Sequence, residues 1–386
     1  MLTALALLVA AVAILCIAAW IHGSYQVLHD PAHAERNLDI DYSVFWAAAR
    51  MGLAGDWMGP FDTAKLSEAR LIPLGREAYE MLWFYPPSYH LLIAPLGYLS
   101  FFWSWLVFAT ISAISLAIAI RAPSRGAPAA ILLVVFSPAA MFLLALGQNS
   151  LLIAALLVGA VEALRRQHFV VAGVLIAAMT IKPQLGLAIP VALLAGGYWR
   201  VILVASVSTI LLVLVTSAVL GWAYWEAFFL AIRDGGDLIR QSDLIRLMVS
   251  VFGNAVSLGM SQSAAMVLQL VLSLVAAGAL ALIWHTDTVA FDIKAAALCA
   301  SVLLLTPYAV HYELIFAVLS AFYLARCGLA EGVGGRYLIV ALWLAPVIGY
   351  VFLPWPGFFF ASGLMSVTLI YCLWTSLGRR KQELAS

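Results

Sequence analysis

Charge is what this sequence has least of. Only 10% of its 386 residues are Asp, Glu, Lys or Arg, while 65% are hydrophobic. A soluble domain carries roughly 25% charged and 45–50% apolar residues. A water-soluble globule of this composition would have no polar skin, so that class is excluded. The formal net charge of +1 presents no basic field to a polyanion and argues against nucleic acid as a partner. Cys16, Cys299, Cys327 and Cys372 show no pairing pattern, and Cys16 and Cys372 sit inside apolar runs, where they read as small buried hydrophobes. CxxC and HExxH are both absent, so no metal site is expected. Internal repeats and low-complexity segments are missing too, and no stretch is polar enough to form a separate soluble domain. One integral membrane domain over residues 1–386 is expected.

What is present is a succession of apolar runs: 2–21, 101–121, 128–146, 150–164, 169–181, 184–196, 201–220, 263–284, 295–310, 312–326, 337–353 and 357–377. The run 2–21 has about the length that spans a bilayer, roughly 20 residues. It lacks a basic flank and a clear cleavage site, so it reads as a retained first helix rather than a leader. The expectation is an all-α, polytopic transmembrane bundle of about 12 spans. The pairs 169–181 with 184–196, and 295–310 with 312–326, are each either two helices or one broken helix. Arg121 and Arg125, Arg165 and Arg166, Arg200, Lys294, Arg326 and Arg336, and Arg379, Arg380 and Lys381 all fall on one side of such a bundle. By the positive-inside rule that side is the cytoplasm.

Two long connections then face outward, about 22–88 and 221–262. The first carries nine acidic residues against five basic ones, with many aromatics. Its acid marks it for function, and its aromatics argue against disorder. Within it, Ser43 to Leu53 is expected to form a short helix whose Phe45, Trp46 and Ala49 lie on the membrane surface. The stretch Ser88–Leu99 is expected to form a second interfacial helix.

The polar candidates gather on the outward side. Asp41, with Asp39 two residues before it, is a carboxylate beside aromatics; partial desolvation would make it a better base. The competing reading is a helix cap. Trp83-Phe84-Tyr85-Pro86-Pro87 is either an interfacial aromatic belt or a platform for a sugar or lipid chain; Trp46 and Tyr85 are the aromatic candidates. Gly147-Gln148-Asn149-Ser150 reads first as a tight turn, with Gln148 and Asn149 as alternative sugar contacts. Lys182, before Pro183, either snorkels to headgroups or binds phosphate as a point charge. Thr306-Pro307-Tyr308-Ala309-Val310-His311-Tyr312-Glu313 is a polar break between apolar runs. His311 and Glu313 so close to hydrocarbon are costly and point to function, with Tyr308 beside them. In the second outer loop, Arg240 is a further candidate to face phosphate.

Read together, Asp41-Tyr42-Ser43-Val44-Phe45-Trp46-Ala47-Ala48-Ala49-Arg50, Phe84-Tyr85-Pro86-Pro87, Gly147-Gln148-Asn149-Ser150, Lys182-Pro183 and Thr306-Pro307…His311 resemble glycosyltransferase family 87, of the GT-C superfamily. The resemblance runs over about residues 1–326. It implies a bacterial inner-membrane, multi-pass hexosyltransferase similar to polyprenyl-phosphate-mannose-dependent α-mannosyltransferases. Such an enzyme takes a polyprenyl-phosphate sugar, classically mannose, and inverts the anomeric centre at an extracytoplasmic site. It uses no cofactor and no obligatory metal, and its acceptor is a glycolipid or glycan among membrane lipids. Asp41 matches the family's general base, with Asp39 competing. Lys182 and a protonated His311 match positions that face the donor phosphate. The string Val310-His311-Tyr312-Glu313 departs from the Asp-His or His-His pair common in the family. A transporter or flippase of lipid or solute is the alternative, and a structural envelope factor is a third. Transporters place binding groups near the midplane in repeated halves; here the spans are almost free of ionisable residues and no halves are visible.

Overall fold

The computed structural model describes residues 41–74, 81–241, 243–329, 332–351 and 359–384. The expected span 2–21 and the candidate Asp39 lie outside the described residues. Among the described residues the chain is all-helical, and its extended pairing is a single antiparallel bridge between Met248 and Val310. It clusters into two compact units.

The first unit runs through Phe136 and adds Ala140–Ala155 and Ser208–Leu238. Its centre is helix α1 (Tyr42–Leu53), surrounded by α2 (Thr63–Leu74), α3 (Pro87–Ile93), a 3-10 turn at Ala94–Tyr98 and α4 (Phe101–Arg121). The Ala47-Ala48-Ala49 run leaves α1 thin, so neighbouring backbone comes close. Gly97 sits so near Ala49 that a β-carbon there would lie 2.9 Å from the Ala49 carbonyl carbon. Trp46 Nε1 donates to the Leu99 carbonyl at 3.0 Å, Tyr42 shares a hydrogen bond with Ser104 at 2.7 Å, and Arg70 Nε donates to Ser43 Oγ at 2.8 Å. The expectation of a helix lying on the membrane surface is therefore corrected. Phe45, Trp46 and Ala49 are buried in protein, because the neighbouring elements close over that face of α1 while Arg50 stays exposed.

After α4 come α5 (Pro128–Val135) and α6 (Pro138–Leu146), bent 50° from each other. Pro138 explains the bend, since the residue before proline is pushed out of helical conformation. The helix α7 (Ser150–Arg165) follows. Next are α8 (Phe169–Ala178) and α9 (Ala188–Ala195), separated by 3-10 turns that break at Lys182-Pro183. The long α10 (Trp199–Leu220) leads into the amphipathic α11 (Trp222–Gln241).

The second unit holds Ser137–Ala139, Leu156–Val207 and the chain from Ile239 onward. It includes α12 (Val251–Ser257), α13 (Gln262–His285), α14 (Phe291–Leu305), α15 (Ile315–Arg326), α16 (Val333–Val351) and α17 (Phe359–Leu384). α14 is its core and packs on α13, α15 and α17. Ionic contacts join three helix ends there. Arg165, closing α7, pairs with Asp292 in the first turn of α14 and with Glu162 at 3.2 Å. Arg326, closing α15, reaches the other oxygen of Asp292 at 3.4 Å.

The expected dozen spans is not confirmed. Among the described residues four helical stretches are long and apolar enough to cross a membrane, α4, α10, α13 and Phe360–Leu377, or five with the bent α5–α6 pair. On α10 the apolar side chains point outward, with Leu203 65% exposed, as lipid contact requires. The runs 295–310 and 312–326, expected as two helices or one broken helix, are two separate helices, α14 and α15, of 15 and 12 residues. At about 1.5 Å per residue both fall short of a hydrocarbon core of about 30 Å. They are apolar because other helices surround them.

Candidate active site

In the first unit the candidate Asp41 stands directly ahead of α1. Its backbone is already helical (φ −52°, ψ −29°), and its side chain makes no capping hydrogen bond. The cap reading is thereby set aside. The carboxylate turns elsewhere: its Oδ2 accepts from Gln148 Nε2 at 2.6 Å, across 107 positions of sequence.

Gly147 makes that reach possible. Its φ of +67° lets the chain reverse after α6, with Gly147 N–H on Leu144 and Gln148 N–H on Leu143. Asn149 then accepts the first amide bonds of α7 from Leu152 and Ile153. A β-carbon on Gly147 would lie 2.5 Å from Tyr42 Cβ, so the turn presses on the first residue of α1 and sets Gln148 against Asp41. The turn reading holds here. Gly147→Ala combines this clash with left-handed strain of about 1–3 kcal/mol. We expect its unfolding midpoint in detergent to drop by several degrees. Gly126→Ala, also at positive φ (+74°) but facing open space, should lose less; equal losses would deny the close approach at Tyr42.

Aromatic rings enclose this corner. Phe45 meets Tyr85 and Tyr89 edge-on, each at 5.1 Å, and Tyr42 lies 5.2 Å from Phe108. Tyr85 is half-buried, and the fully buried Asn149 side chain lies beside the Tyr89 hydroxyl. Burial drives the Tyr42 and Tyr89 hydroxyls far above the ordinary tyrosine pKa, so both stay neutral. Trp83 is no surface belt: it is 2% exposed. Its Nε1 donates to Tyr224 Oη at 2.9 Å. Tyr224 Oη lies 2.8 Å from His90 Nδ1, and His90 Nε2 lies 2.7 Å from the Ala48 carbonyl. A carbonyl only accepts, so Nε2 carries the proton, Nδ1 accepts from Tyr224, and the chain of donors is fixed from Trp83 to α1. Burial pushes the His90 pKa down to about 4, which keeps that tautomer neutral. Beside it lies a cleft of about 310 Å³ lined by Phe61, Trp83, Phe84, Leu230, Ala231 and Asp234, among others.

The second unit holds the other candidates. Lys182 is 4% exposed and does not snorkel. Its Nζ donates to Glu313 Oε1 at 3.1 Å and sits 5.0 Å from the Tyr312 ring centre. Glu313 Oε2 accepts from Val310 N–H at 2.9 Å, so both oxygens of this carboxylate are engaged. The polar break is an ordered loop: Val249 N–H donates to the Ala309 carbonyl, and Ser250 Oγ donates to the Pro307 carbonyl at 2.6 Å. Tyr308 packs on Phe252. His311 is buried, and burial pushes its pKa down to about 4, opposed in part by a hydrogen bond to the Leu247 backbone. The protonated His311 expected from sequence is corrected to a neutral imidazole near pH 7.

The structure thus joins Asp41 to Gln148, and Lys182 to Glu313 and Tyr312. Trp46 is committed to packing, with Arg50 over its ring at 5.1 Å, and presents no binding surface. Arg240 lies in the last turn of α11, and its side chain falls outside the described residues. Sequence reasoning missed Arg70, His90 and Tyr224. Nothing local marks them, since each acquires its partner only through the fold.

Compared with known families, residues 83–307 match the model of glycosyltransferase family 87. The match takes in Trp83, Gln148 and Lys182, begins after Asp41 and ends before His311. No curated protein and no solved structure matches the chain.

Proposed function

The chain belongs to glycosyltransferase family 87, and from that membership we propose that it moves mannose from a polyprenyl-phosphate donor to a glycolipid or glycan acceptor. The family makes it a membrane glycosyltransferase. The reading adds an extracytoplasmic site in the bacterial inner membrane, inversion at the anomeric carbon, and independence of metal. One observation carries it: Asp41, placed ahead of a buried helix, gives its carboxylate to Gln148 instead of capping that helix. A carboxylate held by an amide donor at the head of a buried helix is placed as a general base would be.

In the reaction, the acceptor oxygen forms a bond to the anomeric carbon while Asp41 takes the hydroxyl proton. The bond from that carbon to the phosphate oxygen breaks, and its electron pair leaves with polyprenyl phosphate. Charge develops on the phosphate, where a cation or an N–H donor stabilises it; by the family resemblance Lys182 and neutral His311 are proposed for that role.

The test uses purified, detergent-solubilised protein with labelled polyprenyl-phosphate mannose, a membrane-lipid extract and EDTA. Labelled glycolipid or glycan is expected, undiminished by the chelator. Product only when metal is restored would remove the metal-free mechanism. Failure with mannose and with a panel of other lipid-linked sugars would turn the reading toward a transporter.

A further inference from the structure

Gln148 is one of the residues that the sequence marks as a sugar contact, and its geometry gives it a different task. Its side chain is 5% exposed. Its Nε2 stands 2.6 Å from Asp41 Oδ2, shorter than the usual 2.7–2.9 Å of a charge-assisted N–H···O bond. Its Oε1 is buried with no hydrogen-bond partner among the described residues. Leaving a buried amide oxygen unsatisfied costs free energy. Rotating the amide by half a turn would set that oxygen against the carboxylate, acceptor to acceptor. The orientation is therefore dictated by the negative charge on Asp41. The backbone around Gln148 is built for this contact as well, through the left-handed Gly147 and its close approach to Tyr42.

We infer that Gln148 is a positioning residue for the base: its amide N–H holds one oxygen of Asp41 and favours the ionised carboxylate. This rests on the proposal that Asp41 accepts the acceptor's proton. A hydrogen bond to the charged form lowers a carboxylate's pKa. With Gln148 in place, Asp41 is ionised and oriented before substrate arrives. Without it, the carboxylate loses that restraint, and it takes up a proton at higher pH.

The experiment compares kcat, KM and the pH profile of sugar transfer in wild type, Gln148→Ala, Gln148→Glu and Asp41→Asn, using purified protein and polyprenyl-phosphate mannose. Gln148→Ala is expected to lower kcat by about 10- to 100-fold, as misplacement of a reacting group does. KM for donor and acceptor should stay within about twofold, because the amide touches the base and not the sugar. The acid limb of the kcat profile should shift upward. Gln148→Glu has nearly the same shape and so controls for folding. Two carboxylates would then share the contact, which strongly raises one of the two pKa values. Its acid limb should lie above that of the alanine variant, and its activity should rise with pH.

A rise in donor KM with kcat preserved would overturn the inference and return Gln148 to the sugar. An acid limb unmoved in both variants would also overturn it, leaving Gln148 a structural residue. Transfer retained by Asp41→Asn would remove the base itself, and the inference with it. The first two results leave the reading of Asp41 intact, so the two failures are told apart.

Discussion

Asp41→Asn is expected to cut kcat for sugar transfer by about 10²- to 10⁴-fold, the contribution of a positioned general base, while leaving the unfolding midpoint unchanged. The structure supplies the second half of that statement. Asp41 makes no capping hydrogen bond to α1, so the substitution takes no cap away. An asparagine side-chain oxygen still accepts from Gln148 Nε2, as Oδ2 does at 2.6 Å. What disappears is the ability to take a proton. Steady-state transfer assays beside tryptophan-monitored melting in detergent separate the two effects. Transfer that persists in Asp41→Asn would remove Asp41 as the base. A midpoint that falls together with activity would make Asp41 a fold residue.

Glu313→Ala is expected to destabilise the protein by about 3–5 kcal/mol, the cost of breaking a buried ion pair by removing one partner. Lys182 and Glu313 have side chains 5% and 2% exposed and lie 3.1 Å apart. Removing the carboxylate takes the counter-charge from a buried ammonium, and it also takes from Val310 N–H the oxygen that it donates to at 2.9 Å. A double replacement, Lys182→Met with Glu313→Leu, removes both charges and should recover much of the loss, because apolar residues of similar volume tolerate such a site. Chemical unfolding in detergent measures all three variants. Equal stability of Glu313→Ala and wild type would mean that the pair contributes nothing to the fold. Failure of the double variant to recover any loss would place the effect in packing rather than charge. The pairing bears on activity as well. The cation proposed for the donor phosphate already has a carboxylate beside it, so part of its field is neutralised before the leaving group ionises.

Helix limits were readable from sequence wherever an apolar run met a turn residue. The runs 101–121, 201–220 and 263–284 became Phe101–Arg121, Trp199–Leu220 and Gln262–His285. The environment of a run was not readable. An apolar helix is equally content in lipid and among other helices, and α14 and α15 proved to be the latter. The same ambiguity hid the burial of α1, whose close neighbour Gly97 lies far along the chain from Ala49. Asp41, Gln148, Lys182, Glu313 and His311 were all named from local oddity, since each is a polar group in an apolar setting. Their partners were out of reach, because contacts such as Asp41 with Gln148 join turns separated by whole helices. The protonation of His311 was out of reach too, since burial sets it and burial is a property of the finished fold.

The ionic contact at the ends of α7, α14 and α15 bears on how the chain is made. Arg165 and Arg326 are among the cations that an insertion machinery would weigh when it orients neighbouring spans. In the finished protein both engage the carboxylate of Asp292. Asp292 is synthesised long after Arg165, so the positive charge of that arginine can be counted before this partner exists. Acidic residues contribute little to orientation, so the later arrival of Asp292 does not erase the decision already taken. On the topology expected from sequence Arg165 would serve twice, first as a signal during synthesis and then, with Arg326, as one half of a clasp on Asp292.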